Sequence, residues 1–219
     1  MIEAIHAAIP RAALVTGGQQ QHAIVRALRQ AGFMVAVQYA SDNEDAIDGI
    51  TALRADLTDE IQTAGLIARA NAALGPIGVL INAACTREPD QWDDATRATW
   101  DMHIETNLRA PFVLIQHFAN ALAPPHEGVV VNLLDQRMST QLVSYTLSKA
   151  ALWTLTQTMA LALAPRIRVN GIAPAATPRH DQTNHDQAGA VARAAIAILA
   201  LPSMTGQMIV PDGVSRHQP

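Results

Sequence analysis

The chain has 219 residues, a length that fits one domain with room for a buried core. Apolar residues make up 49% of it and charged residues 16%, proportions typical of a folded protein and not of a disordered one. The net charge is −4 and the two signs are well mixed along the chain, which excludes electrostatic capture of nucleic acid or of an anionic membrane surface.

Short apolar runs alternate with segments of helical period along the chain. The first half predicts β-strands at Ala12–Val15, Met34–Tyr39, Thr51–Ala55 and Val79–Asn82, with helices at Gln20–Ala31 and from an N-cap at Thr58 to Leu74. The second half predicts a helix at Ala95–Ala123 broken near Pro111, a strand at Val129–Asn132, a helix at Ser144–Leu163, a strand at Ile167–Ile172, a helix at Ala190–Ala200 and a strand at Gln207–Val210.

Continuously apolar strands separated by helices predict a parallel sheet covered on both faces. Right-handed crossovers make such a sheet doubly wound, so we expect a single Rossmann-like α/β domain over residues 1–219. The polar stretch Arg179–Gln187 is the predicted mobile loop. No apolar stretch is long enough to span a bilayer, the N-terminus has no signal-peptide pattern, and the single cysteine fits a reducing cytoplasm.

Ligands of a doubly wound sheet bind outside the carboxyl ends of its strands, so the residues that follow each strand predict one cleft. These residues are Thr16, Gly17 and Gly18 after the first strand, Asp56 after the third, Asn82, Ala83 and Ala84 after the fourth, Asp135 after the fifth, and Pro174 after the sixth.

Tyr145 and Lys149, the only lysine of the chain, are four residues apart in a predicted helix and therefore share one face. A tyrosine has an ordinary pKa of about 10, and a nearby ammonium brings that pKa down toward neutrality. The pair thus predicts proton-transfer catalysis on a carbonyl or an imine. The alternative is an ordinary contact between two surface side chains.

These residues stand in segments that resemble the short-chain dehydrogenase/reductase family over essentially the whole chain and in the family's order. The segments are Tyr145–Leu152, Ile167–Pro174, Asn107–Phe112, Val79–Ala84 and Met204–Gly213. The resemblance implies hydride transfer from NADPH or NADH to a small-molecule substrate, with Tyr145 as the proton donor. It further implies that Lys149 holds the nicotinamide ribose and lowers the phenol pKa, and that Asn107 anchors a water-linked proton path.

Asp135 stands where most members of the family have serine, which is similar to the pteridine-reductase-like branch. That likeness implies a pterin-like substrate, with Asp135 helping to deliver a proton to a ring nitrogen. The alternative role for Asp135 is a loop or helix-cap aspartate. The chain looks shorter than the family norm in the substrate-covering segment, about 175–190.

The phosphate-binding turn departs from the family pattern, because Gln21 and Ala23 stand where the later glycines are expected. No basic residue follows the second predicted strand to bind the 2′-phosphate of NADPH, and Asp42 would repel that phosphate. The resemblance to the family nevertheless favours NADP, so the choice between NADP and NAD stays open. The resemblance places the dinucleotide against Thr16, Gly17, Gln20, Gln21, His22, Ser41, Asp56, Leu57, Asn82, Ala83, Ala84, Tyr145, Lys149, Pro174, Ala175 and Thr177.

Two functions therefore remain open. The intact Tyr145, Lys149, Asn107 and Asp135 favour a reductase, whereas the altered turn and the short loop favour a dinucleotide- or pterin-binding protein of the same fold with weak or no turnover. The histidines and aspartates of the 180–186 stretch predict a solvated loop and no metal site. The strongly apolar helix Ser144–Leu163 resembles the family's subunit contact and implies a homodimer or homotetramer.

Overall fold

A computed structural model describes residues 5–18, 21–40, 49–174 and 184–211, with the backbone alone at 184–186. The strands are β1 (Ala12–Thr16), β2 (Met34–Tyr39), β3 (Thr51–Arg54), β4 (Val79–Asn82), β5 (Gly128–Leu133), β6 (Ile167–Ile172) and β7 (Met208–Ile209). The helices are α1 (Gln21–Gln30), α2 (Glu60–Leu74), α3 (Arg97–Ile104), a π-helical turn (Glu105–Arg109), α4 (Ala110–Ala121), α5 (Val143–Leu163) and α6 (Asn184–Ala200).

The strands form one parallel sheet in the order β3-β2-β1-β4-β5-β6-β7. Leu14 of β1 pairs with Ala36 of β2 on one side and with Leu80 of β4 on the other. The chain runs outward from β1 to β3, returns, and then runs outward again from β4 to β7. The strand order thus reverses between β1 and β4, where a doubly wound sheet binds its ligands. The predicted Rossmann-like α/β fold is confirmed.

Each face of the sheet is covered by its own apolar layer. Alternate residues of β1 show this division: Val15 packs with Ile24 of α1 and Ile198 of α6, whereas Leu14 packs with Leu66 of α2 and Phe118 of α4. All five residues of β1 are buried, as expected for a central strand covered on both faces. Among the described helices, none has the length and apolar character that a bilayer crossing requires.

Three predicted boundaries are wrong. Asp59, and not Thr58, caps α2, because its carboxylate accepts the backbone N–H groups of Ile61 and Gln62 at 2.9 and 3.2 Å. The long helix is not broken near Pro111; the π-helical turn stands just before it, and a proline is tolerated in the first turn of α4. Helix α6 begins at Asn184, so the end of the predicted mobile loop is helical, while residues 179–183 lie outside the described part.

Candidate active site

The turns after β1 and β4 meet at the switch point of the sheet. The Thr16 hydroxyl accepts the backbone N–H groups of both Ala83 and Ala84 at 2.9 Å. A Cβ added to Gly18 would stand 2.2 Å from the Ala83 carbonyl oxygen, so only glycine fits there. This contact keeps the two turns close enough to form one floor for a ligand.

Gln38, at the carboxyl end of β2, joins the neighbouring turns. Its buried side chain accepts the backbone N–H of Gly17 at 3.0 Å and donates to the carbonyl of Ala55 at 2.8 Å. The glycine turn, β2 and the end of β3 are therefore held together by one amide. This role was not predicted from the sequence, where the end of β2 was considered only for a missing cation.

A cleft of about 370 Å³ opens above this floor, lined in part by Gly17, Gly18, Asp56, Leu57 and Ala84. Five residues of the predicted dinucleotide set meet in or directly beside it. These are Thr16, Gly17, Asp56, Leu57 and Ala84. At the carboxyl end of β4 the Oδ1 atom of Asn82 is buried without a hydrogen-bond partner, while its Nδ2 donates to Asn132 at 2.7 Å. Small residues, a tight turn and a free acceptor at the switch point fit a bound dinucleotide.

Gln21 is the main departure within this turn. Its side chain is buried, and its Oε1 atom, which has no hydrogen-bond partner among the described residues, lies 3.4 Å from where a Cβ on Gly17 would stand. The side chain therefore fills space beside the turn. The predicted contact His22 is exposed and lines a separate surface hollow with Arg26 and Arg29.

Some of the remaining predicted dinucleotide contacts lie in the site, and others lie outside the described residues. Ala83 is buried in the floor, and Pro174 lies two residues after the end of β6. Gln20, Ser41, Ala175 and Thr177 lie outside the described residues, as does Asp42. The described residues contain no cluster of three or more His, Cys, Asp or Glu side chains placed to hold a metal ion.

The phenol of Tyr145, in the first turn of α5, donates a hydrogen bond to Oδ2 of Asp135 at 2.9 Å. Asp135 follows β5, and its carboxylate is held by the guanidinium of Arg137 through Nε at 3.0 Å and Nη2 at 2.7 Å. Both the tyrosine and the carboxylate are nearly inaccessible to solvent. A phenol, a carboxylate and a guanidinium thus form one chain of hydrogen bonds at the edge of the sheet.

The protonation states within this chain follow from burial and charge. Burial alone would raise the pKa of Asp135, but the hydrogen bonds from Arg137 and Tyr145 outweigh it, and the pKa lies below its ordinary 3.8. Burial raises the pKa of the Tyr145 phenol above 10.0, and Cys85 and Asp135 add to the rise. At neutral pH, Asp135 is a carboxylate acceptor and Tyr145 a protonated donor.

The expected lowering of the phenol pKa by Lys149 is therefore wrong for this state of the protein. Lys149 does lie on the buried face of α5 with Tyr145. Its ammonium, however, donates to the carbonyl of Leu133 at 3.0 Å, and the phenol is bonded to Asp135 instead. Burial, Cys85 and Asp135, all of which disfavour a phenolate, then dominate.

Asn107 lies in the π-helical turn and is fully buried. Its carboxamide accepts the N–H of Thr86 at 2.9 Å and donates to the Thr86 carbonyl at 2.9 Å and to the Ser148 hydroxyl at 3.0 Å. Both N–H donors and the carbonyl oxygen are used to fix the loop after β4 against α5. The side chain therefore acts on the backbone around the site and makes no hydrogen bond to Lys149.

A buried network that the sequence analysis missed holds the start of α5. The Ser144 hydroxyl donates to the Asp90 carboxylate, and Nδ1 of His103 lies 2.6 Å from the same hydroxyl. Nε2 of His103 accepts the backbone N–H of Glu88 at 2.9 Å, which places the ring proton on Nδ1. The His103 ring meets the edge of the Tyr145 ring, with centroids 6.0 Å apart.

Comparison with known proteins identifies a family and several relatives that this chain resembles. Residues 11–188 match the family model described as short chain dehydrogenase. Among characterised relatives, L-xylulose reductase of Bos taurus is 34% identical over 75% of this chain and 70% of its own, and acetoacetyl-CoA reductase of Rhizobium meliloti is 32% identical over 75% and 73%. A crystal structure of FolM alternative dihydrofolate reductase 1 from Brucella canis, complexed with NADP, superposes with a TM-score of 0.81, at 34% identity over 95% of both chains.

Proposed function

Because this chain belongs to the short-chain dehydrogenase family, we propose that it is an oxidoreductase that reduces a carbonyl or imine group of a small molecule with NADPH or NADH. Tyr145 is the proton donor. The observation that carries the proposal is the hydrogen bond between the Tyr145 phenol and Asp135, which in turn is held by Arg137.

A reduced nicotinamide, when bound, would supply the hydride. The turn at Gly17, the cleft residues Asp56 and Leu57, and the free acceptor of Asn82 would hold the dinucleotide. The Lys149 ammonium has three N–H donors and gives one to Leu133, which leaves two for the hydroxyls of the nicotinamide ribose.

Three residues of the protein then hold and transfer the proton. Asp135 accepts the phenolic hydrogen bond and fixes the direction of the hydroxyl. The raised pKa keeps the phenol protonated. Its single O–H would turn from Asp135 to the oxygen or nitrogen that gains charge as the substrate is reduced. Arg137, which lies close enough to interact with the charge on Tyr145, stabilises the phenolate left behind.

A dihydropterin is the first substrate class to examine. The support is the structural likeness to the Brucella canis alternative dihydrofolate reductase, together with the aspartate that receives the phenol. Because that structure is complexed with NADP, NADPH is the first cofactor to test. The relatives that act on xylulose and acetoacetyl-CoA make small carbonyl compounds the comparison set.

The test has two steps. Purified protein is titrated with NADPH and NADH, followed by intrinsic fluorescence; binding of neither overturns the proposal. NADPH oxidation is then measured with dihydrobiopterin and dihydrofolate for wild type, Tyr145→Phe and Tyr39→Phe. Loss of the proton donor should slow the reaction roughly 10²–10⁴-fold. Tyr39 is the only other tyrosine, and its buried hydroxyl has no partner, so its removal should change little.

A dinucleotide-binding protein without turnover is the second candidate, and the buried Gln21 side chain beside Gly17 favours it. Tight NADPH binding with no oxidation against any of these substrates would support this second function. Restoring glycine with Gln21→Gly would then be expected to strengthen dinucleotide binding, since it frees the space beside the turn.

A further inference from the structure

We infer that Arg87 binds a carboxylate group of the substrate beside Tyr145, and hence that the substrate is an anion; the inference rests on the proposed function. The guanidinium carbon of Arg87 lies 5.7 Å from the centroid of the Tyr145 ring. It therefore stands at the phenol that would protonate the substrate.

The Arg87 guanidinium has no polar partner within the described part of the chain, unlike two other arginines stacked on aromatic rings. Arg11, over Phe33, donates to the carbonyl of Ile5 at 3.1 Å. Arg109, over Phe112, is paired with Glu60 at 2.7 Å. Arg87 makes only the ring contact, so its planar set of N–H donors is left for a ligand.

The backbone on both sides of Arg87 is held in place. Asn107 makes two hydrogen bonds, each of 2.9 Å, to the backbone of Thr86, and His103 accepts the N–H of Glu88 at 2.9 Å. An exposed arginine on a free loop would lose much of its binding energy to ordering. Here Asn107 and His103, which are both buried, already hold the backbone of this loop in place.

Several charged side chains surround the phenol, and most of them have a partner. Arg87, Arg137 and Lys149 are cations near Tyr145, and Asp135 is the carboxylate bonded to it. Arg137 is matched by Asp135, and Lys149 is buried against a carbonyl, which leaves the charge of Arg87 uncompensated. Glu88 forms no ion pair with it in the described structure. Asp90, bonded to Ser144 next to Tyr145, and Glu88 are further carboxylates nearby, so the region as a whole carries no excess of positive charge. What favours an anionic ligand is the guanidinium of Arg87 itself, which no carboxylate pairs in the described structure.

A carboxylate is the anion that this geometry selects. A guanidinium binds a carboxylate through two parallel hydrogen bonds in its own plane, while the face of the same group stays stacked on a ring. Arg87 can therefore keep its contact with Tyr145 while its edge receives the substrate. The carboxylate would stand on the part of the substrate next to the reducible group or on a chain that folds back to it.

The test compares matched acids and esters, and it measures binding without turnover. Calorimetry gives the Kd of folate and of its dimethyl ester, and of acetoacetate and its methyl ester, for the free protein and for the protein with NADP⁺. The variants are Arg87→Gln and, as a control, Arg11→Gln, which removes another ring-stacked guanidinium far from the site. Thermal unfolding checks that both variants fold.

In wild type we expect at least one acid to bind roughly 10-fold or more tightly than its ester, which is the size of a charge-assisted contact. Arg87→Gln should remove that preference and Arg11→Gln should keep it. Preference for acetoacetate with no binding of either folate supports the role of Arg87 and rejects the pterin substrate. No preference in either pair, no binding of either acid, or a preference that survives in Arg87→Gln overturns the inference.

Discussion

Asp90 and Ser144 are 54 positions apart in the chain, and the Asp90 carboxylate accepts hydrogen bonds from both the backbone N–H, at 3.2 Å, and the hydroxyl of Ser144. The residue before α5 is Leu142, which offers no side-chain cap. Asp90 supplies that cap from the loop after β4, and its own carbonyl accepts the N–H of Val143 at 3.1 Å. Because Tyr145 follows Ser144 directly, this contact positions the phenol.

We therefore predict that Asp90→Ala lowers the free energy of unfolding by about 2–4 kcal/mol, since it removes a cap and leaves a buried hydroxyl and N–H without partners. The maximal rate should fall more than the affinity for the dinucleotide, because Asp90 is bonded to the start of α5 and not to the turn at Gly17. Asp90→Asn, which keeps an acceptor, should be intermediate. Urea denaturation and steady-state kinetics measure both effects. Asp93→Ala, an exposed change in the same loop, is the control, and equal effects of the two alanines would refute the role.

Arg137 determines the pH below which the Asp135 carboxylate becomes protonated. With Arg137 present, the pKa of Asp135 lies below 3.8, so its contribution to stability is present above that value and is lost as the pH falls through the lowered pKa. In Arg137→Gln, burial dominates and raises the pKa of Asp135. We expect the acid limbs of kcat/KM and of the unfolding temperature to move to higher pH. Arg97→Gln, which breaks an exposed pair with Asp101, is the matched control and should leave both limbs in place.

His103 makes stability depend on pH near neutrality. Burial lowers the pKa of His103 below 6.5, although Asp90 and Glu88 oppose the shift. The stabilisation is then present above pH 6.5 and is lost as the pH falls through the folded-state pKa, with a slope of at most about 1.4 kcal/mol per pH unit. His103→Gln should flatten this slope in urea denaturation series between pH 7 and 5. The exposed His22→Gln should not, and a flattened slope there would point to another group.

Gln38 is expected to support dinucleotide binding without a charge. Gln38→Leu keeps the approximate shape of the side chain but removes the partners of the Gly17 N–H and the Ala55 carbonyl. We predict a loss of about 2 kcal/mol of stability and weaker binding of NADPH, because the glycine turn is released. Calorimetry and thermal unfolding test this. Gln116→Leu, on the exposed side of α4, controls for the added apolar surface, and unchanged NADPH affinity in Gln38→Leu would contradict the role.

The fold could be predicted because its signals are local. Runs such as 79–81 are continuously apolar, and strands of that kind between helices leave few other architectures. The shared face of Tyr145 and Lys149 also follows from helical spacing alone. Asp135 was identified as a site residue, and the nearby Arg137 offered a local signal that the sequence analysis did not use.

The rest of the site depends on contacts between distant positions. No local pattern links Asp90 to Ser144, or Gln38 to Gly17 and Ala55. The expected lowering of the Tyr145 pKa failed for a related reason: spacing shows which groups are near, whereas the pKa depends on burial and on the carbonyl that takes the ammonium.

The π-helical turn at Glu105–Arg109 places one additional residue between two stretches of ordinary helix. Before it, α3 presents His103 to the start of α5; after it, α4 presents Leu114 and Phe118 to the sheet. Shortening that turn by one residue would restore an unbroken α-helix and rotate one stretch against the other by about 100°. Either the histidine or the leucine would then face the wrong way. This irregular turn therefore lets one continuous helical segment contact the candidate active site at one end and the core of the sheet at the other.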